Sequence, residues 1–145
     1  DWALPHAAGA ARPAVAWAAS VGASADWQAM APRWLSWLGW APQRVADAPG
    51  LVVARTLAML INEAADAVQQ GVCDPAGADV AMKLGLNYPA GPFEWLAQVG
   101  VDPVVAVLRA LDDHERGERY RVSPWLQQAA WQAGLQAAGD RGDSD

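Results

Sequence analysis

Cysteine, lysine and histidine are scarce in this 145-residue sequence, and their scarcity excludes several kinds of site. Cys73 is the only cysteine, which excludes an internal disulfide and a cysteine-based zinc site. The two histidines, His6 and His114, lie far apart, so their spacing predicts no metal site. Lys83 is the only lysine and the net charge is −6, which argues against a nucleic-acid partner. So little cysteine fits the reducing cytoplasm, where we expect the protein to work.

Glycine motifs that bind phosphate groups are also missing. No two glycines lie two positions apart, so the G-x-G-x-x-G dinucleotide fingerprint is absent, as is the strand–helix alternation around it. A phosphate-binding loop ending in Gly-Lys-Ser or Gly-Lys-Thr and a Gly-x-Ser-x-Gly nucleophile turn are absent too. His114 could act as a general base beside carboxylates, but a solvated residue at a charged helix end is the favoured interpretation. We therefore expect no cofactor and no catalytic residue in this chain.

Long apolar runs are absent as well. The longest uncharged stretch, 122–139, contains four glutamines and two glycines, which is too polar for a membrane span. The chain starts at Asp1 rather than at methionine, and we expect it to be a piece of a longer protein.

What the sequence does contain is helical periodicity. In the clearest helix, 51–70, the residues expected to face inward are Val53, Leu57, Leu60, Ile61, Ala64 and Val68. The residues expected on the other side are Arg55, Asn62, Asp66 and Gln69, and Gly71 is expected to end the helix. Four later helices are predicted from cap and proline signals: Asp74–Pro75 to about 84, Gly91–Pro92 to 99, Asp102–Pro103 to about 116, and Ser123–Pro124 to about 138. Residues 139–145 are expected to be disordered.

The N-terminal third is less regular. We expect short or irregular elements over 1–25, a helix capped by Asp26 that reaches about Leu38, and a short strand over 43–47. The tryptophans of this helix share one face, which indicates core or interface packing rather than an aromatic ligand platform. The predicted fold is therefore all-α, with five or six helices around the 51–70 helix and at most a vestigial strand.

Tyr88, Pro89, Gly91, Pro92 and Phe93 belong to an unusual connection between two predicted helices. Two prolines and a glycine restrict its backbone, and Phe93 and Trp95 then enter the core or an interface. A structural turn is the favoured interpretation, and a loop that contacts a partner or ligand is the alternative.

Several motifs resemble one known family when they are taken together. They are the run 47–55 (DAPGLVVAR), Asn62–Glu63–Ala64, the pattern D-x-x-M-x-x-G-x-x-Y-P-x-G-P-F over 79–93, Gly100–Val101–Asp102, and the run 119–124 (RYRVSP). In this order and spacing they resemble the C-terminal domain of 3-hydroxyacyl-CoA dehydrogenases, over about residues 43–126.

The resemblance implies a helical domain like the C-terminal domain of 6-phosphogluconate dehydrogenase. It implies that 1–47 is a remnant of a preceding nucleotide-binding domain or a linker, that 48–138 is the helical domain, and that 139–145 is the tail. Enzymes of this family oxidise the 3-hydroxyl of an acyl-CoA with NAD, in fatty acid metabolism. Hydride transfer and the acid–base pair belong to their N-terminal domain, whereas the helical domain closes the cleft and carries the dimer interface.

Two departures from the family pattern indicate a degenerate copy. Active copies have Asn immediately before the arginine of the junction motif, where this chain has Ala54, and alanine cannot form the side-chain hydrogen bond. The usual Lys-x-Gly-x-Gly-Phe-Tyr type ending after Trp131 is missing too. The chain also resembles, more narrowly, the second helical copy at the end of long enzymes linked to phenylacetate breakdown and hydroxybutyryl-CoA oxidation, so we expect it to be inactive alone.

Two interpretations of the function remain open. In the first, the chain is an assembly domain that pairs with a like domain or forms a homodimer. The residues expected at that interface or at the substrate cleft are Met59, Asn62, Tyr88, Pro89, Gly91, Pro92, Phe93 and Trp95. In the second, it is a free-standing structural or acyl-CoA-binding module that uses the 88–93 loop. Neither interpretation involves a metal, a nucleic acid or a membrane.

Overall fold

Six helices and two short strands make up residues 12–142, the part of the chain that the computed structural model describes. In chain order they are β1 (Ala14–Trp17), α1 (Ala25–Trp37), β2 (Ala41–Arg44), α2 (Val53–Gln69), α3 (Pro75–Leu86), α4 (Pro92–Val99), α5 (Val101–Glu115), a 3-10 helix (Glu118–Tyr120) and α6 (Pro124–Gly142). The predicted all-α class is confirmed. Within this range no helix is long and apolar enough to cross a membrane.

Backbone contacts divide the chain into two compact units, one ending at Arg55 and one beginning at Thr56. The first unit is a strand–helix–strand motif in which β1 and β2 pair in parallel, from Ala14 opposite Ala41 to Trp17 opposite Arg44. The prediction of at most one strand, over 43–47, was wrong, because there are two strands and the second begins earlier. Their composition, rich in alanine with a single β-branched residue, carries little strand propensity, so tertiary pairing determines them.

Helix α1 begins one residue earlier than its predicted cap. Ser24, rather than Asp26, is the N-cap, and its hydroxyl accepts a hydrogen bond from the Trp27 N–H at 3.3 Å. The helix continues through Pro32. Trp27 and Trp34 share a face as predicted, and their rings meet edge to face at 4.9 Å.

Helix α2 ends as predicted, and Leu57 and Ile61 are buried as predicted, but the other residues expected to face inward are only half-buried. Its C-terminus is a Schellman motif, in which Val72 N donates to Ala67 O and Gly71 N donates to Val68 O. The buried residues are Ala54, Leu57, Ala58, Ile61, Asn62 and Ala65. The placement of Asn62 on the polar side was therefore wrong. The face that packs inward is rotated toward the small residues Ala54, Ala58 and Ala65, whereas periodicity favours the larger side chains beside them.

The core of the second unit is aliphatic. Its largest fully buried side chains include Ile61 of α2, Leu108 and Leu111 of α5, and Leu126 of α6. On α5, Val105 is buried beside Leu108, whereas Val107 is only half-buried. Helix α6 continues to Gly142, beyond its predicted end, and residues 143–145 of the predicted tail lie outside the described range.

Candidate functional site

The start of α4 is held by a carboxylate from the preceding helix. Pro92 occupies the first turn of α4, and the residue before it, Gly91, has no side chain with which to cap the helix. Asp79 of α3 takes over this task, because its Oδ1 accepts a hydrogen bond from the Phe93 N–H at 2.8 Å. Asp79 is only 9% exposed, so this bond satisfies a buried acceptor and a helix N-terminal donor together. The segment 88–93 is thereby fixed to α3.

Gly91 leaves the space that Asp79 occupies. A Cβ atom at position 91 would lie 2.3 Å from Asp79 Oδ1 and 2.4 Å from its Cγ. The backbone φ of Gly91 is −85°, so any residue could adopt the conformation and only steric exclusion requires glycine. Residues 79 and 91 of the family-like pattern are therefore coupled by direct contact.

Glu94 and Lys83 form an ion pair across the same junction. Glu94 Oε2 also accepts a hydrogen bond from the Gly91 N–H at 2.9 Å, so the carboxylate caps its own helix. The hydrogen bond from Lys83, and then that from the Gly91 N–H, lower the pKa of Glu94 below its ordinary value. The only lysine of the chain therefore serves this junction.

Aromatic side chains flank the segment on both sides. The Tyr88 and Trp95 rings are tilted at 50° with their centroids 5.7 Å apart. The Phe93 ring meets Trp125 of α6 edge to face at 5.3 Å. Both distances lie in the favourable range for aromatic pairs. The segment 88–93 is thus a packed turn, as its favoured interpretation predicted.

Asn62 connects α2 to the chain just before α6. Its Nδ2 donates to the Arg121 carbonyl at 3.0 Å, and its Oδ1 accepts from the Ser123 N–H at 2.8 Å. One turn later on α2, Asp66 Oδ2 accepts from Arg121 Nη2 at 2.9 Å. Asn62 is 2% exposed, and its amide satisfies the buried Ser123 N–H and the partly buried Arg121 carbonyl together.

The predicted contact residues do not form one surface. Asn62, Gly91, Pro92 and Trp95 are buried inside the chain, whereas Met59, Tyr88 and Phe93 are half-buried and Pro89 is exposed. An interface role for these residues therefore stays a prediction, and only the accessible members could contact a partner without rearrangement. Ala54, at the position of the family asparagine, lies in the first turn of α2 and is 4% exposed.

The large exposed apolar residues lie elsewhere, and the sequence did not single most of them out. In the second unit they are Val72, Val80, Leu84 and Leu86 on or beside α3, and Trp131 and Leu135 on α6. In the first unit α1 exposes Trp27, Met30, Trp34 and Trp37, and none of its residues is buried.

A charged cleft of about 690 Å³ lies at the end of α5. It is lined by Asp112, Asp113, Arg116, Gly117, Glu118 and Arg121. Its carboxylates and guanidinium groups alternate in sign and stand open to solvent, which suits neither an acyl chain nor a single ionic group. Among residues 12–142 no group of three or more His, Cys, Asp or Glu side chains could hold a metal ion.

Comparison with known proteins places this geometry in a family. Residues 50–142 match the family model described as "3-hydroxyacyl-CoA dehydrogenase, C-terminal domain". The chain is 47% identical over 87 residues to the 3-hydroxyadipyl-CoA dehydrogenase of Escherichia coli K12, covering 60% of this chain and 18% of that protein. It is 39% identical over 98 residues to the probable 3-hydroxybutyryl-CoA dehydrogenase of Deinococcus radiodurans, covering 68% of this chain and 35% of that protein.

Solved structures give the same result. The crystal structure of 3-hydroxybutyryl-CoA dehydrogenase from Escherichia coli K12 superposes with a TM-score of 0.78 at 39% identity, over 84% of this chain and 26% of that one. The (S)-3-hydroxybutyryl-CoA dehydrogenase from Ralstonia eutropha superposes with a TM-score of 0.73 at 29% identity, over 81% of this chain and 42% of that one. The chain thus spans less than half the length of each of these relatives. It belongs to the 3-hydroxyacyl-CoA dehydrogenase family, as a C-terminal domain.

Proposed function

We propose that this chain is the assembly and cleft-closing domain of an NAD-dependent 3-hydroxyacyl-CoA dehydrogenase and does not itself transfer hydride. The observation that carries the proposal is Ala54, which stands in a family-like junction motif where the resemblance leads us to expect a hydrogen-bonding asparagine in an active copy. A methyl group there cannot orient a substrate oxygen. Packing is then the remaining reason for the domain to keep its fold.

The described residues do not fit NAD. A dinucleotide site in a strand–helix–strand motif needs a glycine-rich turn between strand and helix, so that the pyrophosphate approaches the backbone. Here the connection between β1 and α1 contains one glycine, Gly22, and a Cβ added there would meet no atom within 4 Å. We therefore assign NAD to the rest of the full-length enzyme and derive no step through it in this chain.

The partner in this proposal is a like domain. In the longer enzyme this would be another helical copy, and for this chain alone it would be a second copy of itself. The named relatives suggest a short or dicarboxylic 3-hydroxyacyl-CoA as the substrate class of the whole enzyme, in fatty acid or phenylacetate metabolism in the cytoplasm.

Two measurements on the purified chain test the proposal. With 3-hydroxybutyryl-CoA and NAD, we expect no formation of NADH by absorbance, because neither the cofactor site nor the asparagine is present. By light scattering at micromolar concentration and above, we expect the mass of a dimer. NADH production by this chain would overturn the first part of the proposal, and a monomeric mass at every concentration would overturn the second. Saturable binding of an acyl-CoA by a monomer would instead support the free-standing module.

A further inference from the structure

We draw no further inference here: the strongest candidate, the cavity of about 190 Å³ that Trp17 of β1 and Trp27 and Gln28 of α1 line in the first unit, carries none, because the Gln28 amide already has hydrogen-bond partners within the chain and nothing in the structure shows what covers the apolar walls.

Discussion

Asp79 and Gly91 fit together because residue 91 has no side chain. A Cβ atom at position 91 would lie only 2.3–2.4 Å from atoms of the Asp79 side chain. The carboxylate of Asp79 accepts a hydrogen bond from the Phe93 N–H at this position. The identity of each residue thus explains the identity of the other. Asp79 replaces the cap that glycine cannot supply, and glycine admits the carboxylate that supplies it.

We expect Gly91→Ala to destabilise the second unit by about 1–3 kcal/mol, because the methyl group must displace a buried carboxylate or the start of α4. Asp79→Gly alone should cost about 1–3 kcal/mol, through the lost hydrogen bond and the poor helix propensity of glycine inside α3. In the Asp79→Gly background, however, Gly91→Ala should cost much less, because the Cβ and the carboxylate that a methyl group at position 91 would meet are both removed. Urea unfolding of the four proteins measures this coupling.

Gly85→Ala is the matched control for this cycle. A Cβ at Gly85 would meet no atom within 4 Å, and the residue lies inside α3. Alanine there should be neutral or stabilising, by up to about 1 kcal/mol. Equal destabilisation by Gly85→Ala and Gly91→Ala, or strict additivity of Gly91→Ala with Asp79→Gly, would show that the steric explanation is wrong.

Asn62→Ala should cost about 2–4 kcal/mol. The change removes one buried and one partly buried hydrogen bond, which Asn62 makes with the Ser123 N–H and the Arg121 carbonyl. Gln69→Ala, at an exposed position of the same helix, is the control and should change stability by less than about 0.5 kcal/mol. Chemical denaturation measures both. If the two variants were equally stable, the connection between α2 and α6 would not depend on Asn62.

The Glu94 carboxylate should make the second unit sensitive to acid. Lys83 and the Gly91 N–H hold the pKa of Glu94 below its ordinary value of 4.5, so the ionised form favours folding. This contribution is fully present above pH 4.5 and is lost as the pH falls through the lower folded value. The side chains are partly exposed, so the effect should be small and should weaken with added salt.

Lys83→Met tests this dependence, because it removes the larger cause of the lowered pKa. Melting temperatures recorded from neutral pH to pH 3 should fall less steeply in the variant than in the unmodified chain. Arg109→Met, which removes an exposed positive charge on α5, controls for net charge. Parallel curves for all three proteins would contradict the prediction.

Features set by local chemistry were predictable from the sequence. Gly71 ends α2 because a residue with positive φ is needed there, and Asp74 begins α3 because its side chain reaches the Gly77 N–H at 2.7 Å. The end of α2 and the start of α3 both depend only on residues within five positions along the chain. The family-like spacing of Asp79 and Gly91 was also visible, although the contact that explains it was not.

Features set by tertiary contact were not predictable. Strand β1 exists because β2 pairs with it, and its own residues have little strand propensity. The buried face of α2 includes Ala58 and Asn62, since close packing selects small residues and one amide with two partners, whereas periodicity favours the larger residues. The exposure of Trp131 and Leu135 was not predicted, because the cap and proline signal at the start of α6 does not determine where the helix leaves the packed core.

Asp74 and Ser123 each precede a proline that starts a helix, and the sequence predicts a cap at both positions. The structure supports only the first of these caps. The Ser123 side chain is fully buried, and its hydroxyl has no hydrogen-bond partner among the described residues.

Asp74→Ala should therefore cost about 0.5–2 kcal/mol, as the loss of a cap does. Ser123→Ala should be neutral or slightly stabilising, because it removes a desolvated hydroxyl without breaking a hydrogen bond. Thermal unfolding of the two variants side by side measures the difference, and an equal loss of stability in both would mean that the Ser123 hydroxyl caps α6 after all.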